Sequence, residues 1–187
     1  MCRYQDMLED AVNIRLPFTK DALEKLKAGD NIFVSGVMYT ARDAAHKRMI
    51  KALENGESLP FDVAGQTIYY AGPCPAKPGA VIGSCGPTTS GRMDKYTPAL
   101  LDLGLCAMIG KGERSPEVMA SMAKNGAIYL GAIGGAGALY ADSIKKVDVI
   151  AYEDLGPESV KRLEVEEMPL TVIIDCKGNN LYERNHR

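Results

Sequence analysis

Several common routes to function are closed to this chain of 187 residues by what it lacks. Its 22 lysines and arginines stand against 24 aspartates and glutamates, so the basic surplus that duplex or membrane-surface binding requires is missing and nucleic acid is not an expected partner. No apolar run approaches the roughly 20 residues of a membrane span. The start, Met1 to Asp6, lacks the apolar stretch of a signal peptide, and a cytoplasmic protein with no membrane partner is expected. The five cysteines, Cys2, Cys74, Cys85, Cys106 and Cys176, form no Cys-x-x-Cys pair and have no histidine at zinc spacing. They are read as buried or incidental thiols, with no metal site in this chain, and their odd number argues against a disulfide framework. Internal repeats and linkers rich in Pro, Gly or Ser are also missing, so residues 1–187 form one expected domain.

What is present reads as a series of α/β units. Thr19 to Lys27 predicts a short helix, and Asn31 to Tyr39 has the β-branched and aromatic character of a strand. Thr40-Ala-Arg-Asp43 fits a capping box for a second helix that repeats Ala45, Met49, Ala52 and Leu53 until Asn55-Gly56 stops it. Further strands are predicted at Gln66 to Ala71, Ala80 to Cys85, Leu105 to Ile109, Ala127 to Leu130 and Val147 to Tyr152, with two more at Leu170 to Asp175 and Asn180 to Tyr182. Ser115-Pro116 supplies an N-cap and a proline at the first helical position, and Asn125-Gly126 ends that helix, which makes a βαβ unit. Asp175 to Asn179 looks like the turn of a terminal hairpin. The fold class is therefore α/β, a single compact domain with a mixed sheet.

The segment Cys85-Gly-Pro-Thr-Thr-Ser-Gly-Arg-Met-Asp94 presents three hydroxyls and a guanidinium within five residues. Gly86 and Gly91 permit close backbone approach, Thr88, Thr89 and Ser90 offer short donors, and Arg92 can grip a carboxylate with two prongs. A hydroxyl-rich turn capping a helix is the plainer alternative. Arg42 falls in the first turn of a helix, where the dipole disfavours a cation unless an anion lies nearby, although a solvated arginine reaching toward Asp43 would also fit. His46, one turn on, is read as the edge of the packed face rather than a group orienting a carboxylate. Lys111 follows a predicted strand, at the end where open α/β sheets place ligands. The glycines near it do not make a P-loop, because Gly104 is out of register and Gly112 stands where Ser or Thr would hold magnesium. Gly131 to Gly137 lacks the dinucleotide spacing and is read as a tight turn. Arg42, Arg92, Lys111, Thr88 and Thr89 together suit an anionic ligand, but no redox centre, triad or carboxylate pair accompanies them.

The segments SGVMYTARDAAHK (Ser35 to Lys47), GPTTSGRMDKYTP, MIGKGER and AYEDLG with MPLTVIIDCKGNNLY resemble, in order, the β part of class I fumarases and related tartrate dehydratases. The match runs over nearly the whole chain. It implies an α/β domain of the swivelling kind that closes the substrate cleft over a four-iron, four-sulfur (4Fe-4S) cluster, with three cysteine ligands supplied by a separate α subunit. A hetero-oligomer with that subunit, a dicarboxylate substrate, and the reversible hydration of fumarate to malate follow as implications. The resemblance places Arg42, Thr88, Thr89, Arg92 and Lys111 at substrate-contacting positions. It makes Thr88 and Lys111 the catalytic ones, with Thr88 moving a proton with the help of an acidic residue of the α part. The same chemistry on tartrate is the nearest alternative, although Gly91 and Asp94 resemble the fumarase side. A non-catalytic anion-binding module is a more remote one.

Overall fold

A computed structural model describes residues 11–184; Cys2 and the opening Met1 to Asp6 lie outside the described residues. Strands β2 (Asn31–Thr40), β3 (Thr67–Tyr69), β4 (Ala107–Gly110) and β5 (Ile128–Gly131) run parallel in that order. The long β7 (Val160–Ile174) pairs antiparallel with both β5 and β2. A strand that joins both ends of a parallel run closes it, so these five form a ring. Outside the ring, β1 (Val12–Arg15) extends β2 in parallel and β6 (Ile144–Ala151) pairs antiparallel with β7. The helices are α1 (Lys20–Lys25), α2 (Asp43–Glu54), α3 (Thr97–Asp102), α4 (Pro116–Asn125), α5 (Gly137–Ser143) and α6 (Leu181–Arg184), with 3₁₀ turns at Ser90–Met93 and Glu153–Glu158.

Alternation along the strands divides the core in two. Tyr69, Ile109, Leu130 and Val172 fill one cluster with Val34, Met38 and Leu163. Their chain neighbours Ile68, Met108, Tyr129 and Ile173 join the other, which includes Met49 of α2, Leu100 of α3 and Met122 of α4. The short strands therefore read as continuous apolar runs, because both of their faces are covered.

The βαβ unit forms as expected. The Ser115 hydroxyl accepts from Val118 N, Pro116 opens α4, and Gly126 ends it at a left-handed φ of 68°. Other expectations need correction. Thr40 does not cap α2: it ends β2, where its Oγ1 accepts from Lys161 N at 3.2 Å, and the cap position belongs to Arg42. Ala80 to Cys85 is a loop, since Gly83 lies so close to the Cys74 and Pro75 carbonyls that a Cβ would stand 2.4 Å from each. The turn read at Gly131 to Gly137 is present at Gly134-Gly135, but the helix α5 that follows it was not expected. At the end of the chain, Asn180 makes only a bridge to Ile174 before α6 begins. β7 also begins ten residues before the predicted Leu170, at Val160.

Candidate active site

Because β2 to β5 are parallel, their carboxyl ends lie on one rim, and the loops leaving them carry the candidate residues. Arg42 follows β2, Lys111 follows β4, and the loop containing Gly134 follows β5. Thr88 to Ser90 is threaded between the ends of β3 and β4. Thr88 N donates to Tyr70 O at 2.7 Å, Lys111 N donates to Thr88 O at 3.3 Å, and Ser90 N donates to Lys111 O at 2.9 Å. The approach requires Gly110, where a Cβ would stand 2.0 Å from Ser90 Oγ. The Lys111 side chain runs beside Gly134, whose added Cβ would lie 3.6 Å from Nζ. Thr89, Arg92 and Lys111 are exposed and Thr88 is half-buried, so all four are open to a ligand. Ser90 is not: it is buried and hydrogen-bonded to Tyr129 at 2.8 Å, which corrects its place among the ligand donors.

Arg42 and Arg92 meet at one carboxylate. Asp43 Oδ2 lies 2.8 Å from Arg92 Nη2 and 3.7 Å from Arg42 Nη2, and Glu158 Oε1 lies 3.3 Å from Arg42 Nη2. The conflict of an arginine at a helix start is thus met inside the protein, since Glu158 Oε2 also accepts from Ala44 N at 3.0 Å in the first turn of α2. Arg42 lies flat over Gly72, where a Cβ would approach Nη1 to 2.8 Å, and its buried Nε has no hydrogen-bond partner. Arg42 and Arg92 meet two carboxylates, Asp43 and Glu158, and Lys111 adds a third cation to the rim. Arg92, its side chain 53% exposed, keeps donors free for an anion.

A buried polar layer underlies the rim. Arg114, its side chain wholly covered, donates from Nε to Asp94 Oδ1 at 2.7 Å and from Nη2 to Thr97 Oγ1 at 2.9 Å. The guanidinium lies 5.3 Å from the Tyr70 ring centre and 5.2 Å from that of Tyr129. Burial works against its charge, but Tyr70 and Asp94 more than offset this and its pKa moves up. Asp94 also accepts from Ser115 N at 2.7 Å, so it faces the interior and does not read substrate. His46 is fully buried rather than at an edge: Nδ1 bonds Arg42 O at 2.9 Å, and burial pushes its pKa down to about 4.

Asp43, Glu158, Arg114 and Tyr129 were missed as site residues by the sequence. Asp43 carried a visible signal, an acid beside Arg42, but it reads as a helix-cap residue. Glu158 stands 114 positions from its partner Ala44 and carried none. Among the described residues no three His, Cys, Asp or Glu are grouped to hold a metal. Cys85 and Cys106 are buried, and burial pushes their thiols up to about 12 and about 11, away from the thiolate that iron or zinc binds. These residues do not fit a cluster site.

Fold and rim define a single α/β domain with a mixed sheet whose parallel strands bring cations and hydroxyls to one rim. The Fumarase C-terminus family matches residues 3–185, and the chain belongs to that family. Fumarate hydratase 2 of Leishmania major is 39% identical over 177 residues, covering 92% of this chain and 31% of that protein. Fumarate hydratase class I, aerobic, of Escherichia coli K12 is 38% identical over 164 residues, covering 87% and 30%. A candidate L(+)-tartrate dehydratase subunit beta of Methanocaldococcus jannaschii is 42% identical over 171 residues, 88% of each chain. The chain thus spans under a third of the length of the two fumarate hydratases, at 31% and 30%, but most of the third relative.

Proposed function

We propose that this chain is the β-type part of a class I hydro-lyase and closes the substrate cleft for the reversible hydration of fumarate to malate. The observation that carries this reading is the rim itself, where Arg42 and Arg92 meet at Asp43 while Thr88, Thr89 and Lys111 lie on neighbouring loops. Fumarate and malate each bring two carboxylates, which Arg92, Arg42 and Lys111 hold. Thr88 moves a proton at the carbon next to the one that bears the hydroxyl. Taking that proton from malate builds enediolate-like charge beside a carboxylate, and fixed cations stabilise this charge more in the transition state than in the ground state. A threonine hydroxyl is too weak an acid to ionise unaided, so these cations also support Thr88. The Lewis acid for the leaving hydroxyl is a 4Fe-4S cluster, which in this reading belongs to an α-type partner.

The second reading is the same chemistry on tartrate, favoured by the 42% identity to a chain of similar length from that class. One pocket group can separate the two substrates through the extra hydroxyl. The test is co-expression with an α-type partner, anaerobic supply of iron and sulfide, and assay on fumarate, malate and tartrate. Iron-dependent turnover of fumarate and malate by the pair, with a colourless and inactive preparation of this chain alone, is the expected outcome. A brown, active preparation of this chain alone would overturn the two-part model, and binding without turnover by the pair would leave an anion-binding module.

A further inference from the structure

We propose that the Tyr129 hydroxyl is a positioning group, fixing the distance between the segment carrying Thr88 and Arg92 and the loop carrying Lys111; the inference rests on the function proposed above. Tyr129 lies on β5, its ring fully buried beneath the rim. Its oxygen is 3.0 Å from Gly112 O and 2.8 Å from Ser90 Oγ. Burial raises the phenol's pKa, so it stays neutral and has one proton to give. A carbonyl can only accept, so that proton goes to Gly112 O and the Ser90 hydroxyl must donate to Tyr129. The chain of donors therefore runs in one direction, from Ser90 through Tyr129 to Gly112.

Each end of this relay is one residue from a rim group: Ser90 follows Thr89, and Gly112 follows Lys111. Two backbone bonds join the segments at this point, a long one of 3.3 Å from Lys111 N to Thr88 O and a shorter one of 2.9 Å from Ser90 N to Lys111 O. The tyrosine adds a further tie from below the rim, at 2.8 Å to Ser90 and 3.0 Å to Gly112, on the far side of Lys111 from the long bond to Thr88. Its ring would remain packed beside the Arg114 guanidinium, 5.2 Å from the ring centre, if the hydroxyl were removed. Shape and alignment can therefore be separated by substitution.

The experiment uses the chain assembled with its α-type partner. Tyr129→Phe and Ser90→Ala should each lower kcat about 10- to 100-fold while KM changes less than about threefold, because Arg42 and Arg92 still hold the substrate's carboxylates while Lys111 loses its alignment with Thr88. The double variant should be no worse than Tyr129→Phe, since both act through one relay. In a Lys111→Ala background Tyr129→Phe should cost nothing further, a result that a purely structural role does not give. Wild-type kcat in both single variants, or an unchanged loss from Tyr129→Phe in the Lys111→Ala background, overturns the inference. If the wild-type pair turns over no hydroxy-dicarboxylate, the functional reading falls and takes this inference with it.

Discussion

Arg42 and Arg92 share a carboxylate but are held to different degrees. The Arg92 side chain is 53% exposed with one acidic contact, whereas that of Arg42 is 21% exposed, faces two acids and lies over Gly72. Arg92→Ala should leave stability within about 0.5 kcal/mol of wild type, yet weaken substrate binding and turnover by about 10- to 100-fold. Lysine should rescue it poorly, because an ammonium cannot reproduce the fork. Arg42→Ala should cost about 1 kcal/mol of stability in addition, a discounted figure because Asp43 and Glu158 remain partly solvated. Urea denaturation and steady-state kinetics on the same preparations check both statements. Thr88→Val keeps shape and removes the hydroxyl, so turnover should fall about 100-fold or more with affinity nearly kept. Exchange of solvent deuterium into the methylene carbon of malate should fall in step. Exchange at the wild-type rate would reassign Thr88 to substrate positioning.

Helix α2 begins without a side-chain cap of its own, and its start depends on the 3₁₀ segment Glu153–Glu158. That segment is fastened from β7. Lys161 Nζ donates to Gly156 O and Pro157 O at 3.1 Å each and to Ser159 Oγ at 2.6 Å. Glu158 thus serves two ends, accepting from Ala44 N and facing Arg42. Glu158→Ala should cost about 1 kcal/mol, the worth of a helix cap, and should also raise KM, because Arg42 loses an anchor. Glu158→Gln should recover most of the stability but little of the KM, since an amide oxygen caps the helix without pairing the guanidinium. Equal recovery of both would show that the charge at Glu158 does not hold Arg42.

Acid should reach the whole molecule through His46, because the imidazole is fully buried with its pKa lowered to about 4. Burial is the main cause. The Arg42 carbonyl and the Asp43 charge pull the other way, and Arg114 adds to the lowering. Above about pH 6.5, the ordinary value, the ring is neutral folded or unfolded and contributes no pH dependence. Below it only the unfolded chain takes the proton, so stability should fall by about 2 kcal/mol from pH 7 to pH 5, and the loss saturates below about pH 4. Denaturation midpoints across that range should show the slope, and His46→Gln should flatten it. A wild-type curve level from pH 7 to pH 5 would show that His46 is reached by water.

Local chemistry was enough to read the βαβ unit and to name the rim cations. Ser115, Pro116 and Gly126 act on their own neighbours, and loops that follow parallel strands end on one rim whatever the rest of the chain does. The long β7 was only half legible. Its inward residues run Leu163, Val165 and then Met168, Leu170, Val172, a slip of one place where Glu167 takes a left-handed φ of 47° and β7 bulges opposite the stretch of β2 from Val34 to Gly36. Alternation broken in this way hides a strand. Thr40 has the spacing of a helix cap, but pairing with β7 claimed its hydroxyl. Only the closed ring decided that Ser90 turns inward to Tyr129, that Arg114 pairs with Asp94 beneath the rim, and that Glu158 returns to the start of α2. These contacts join residues from 20 to 114 positions apart, so no local preference encodes them; they exist because packing brings these particular polar groups together away from water.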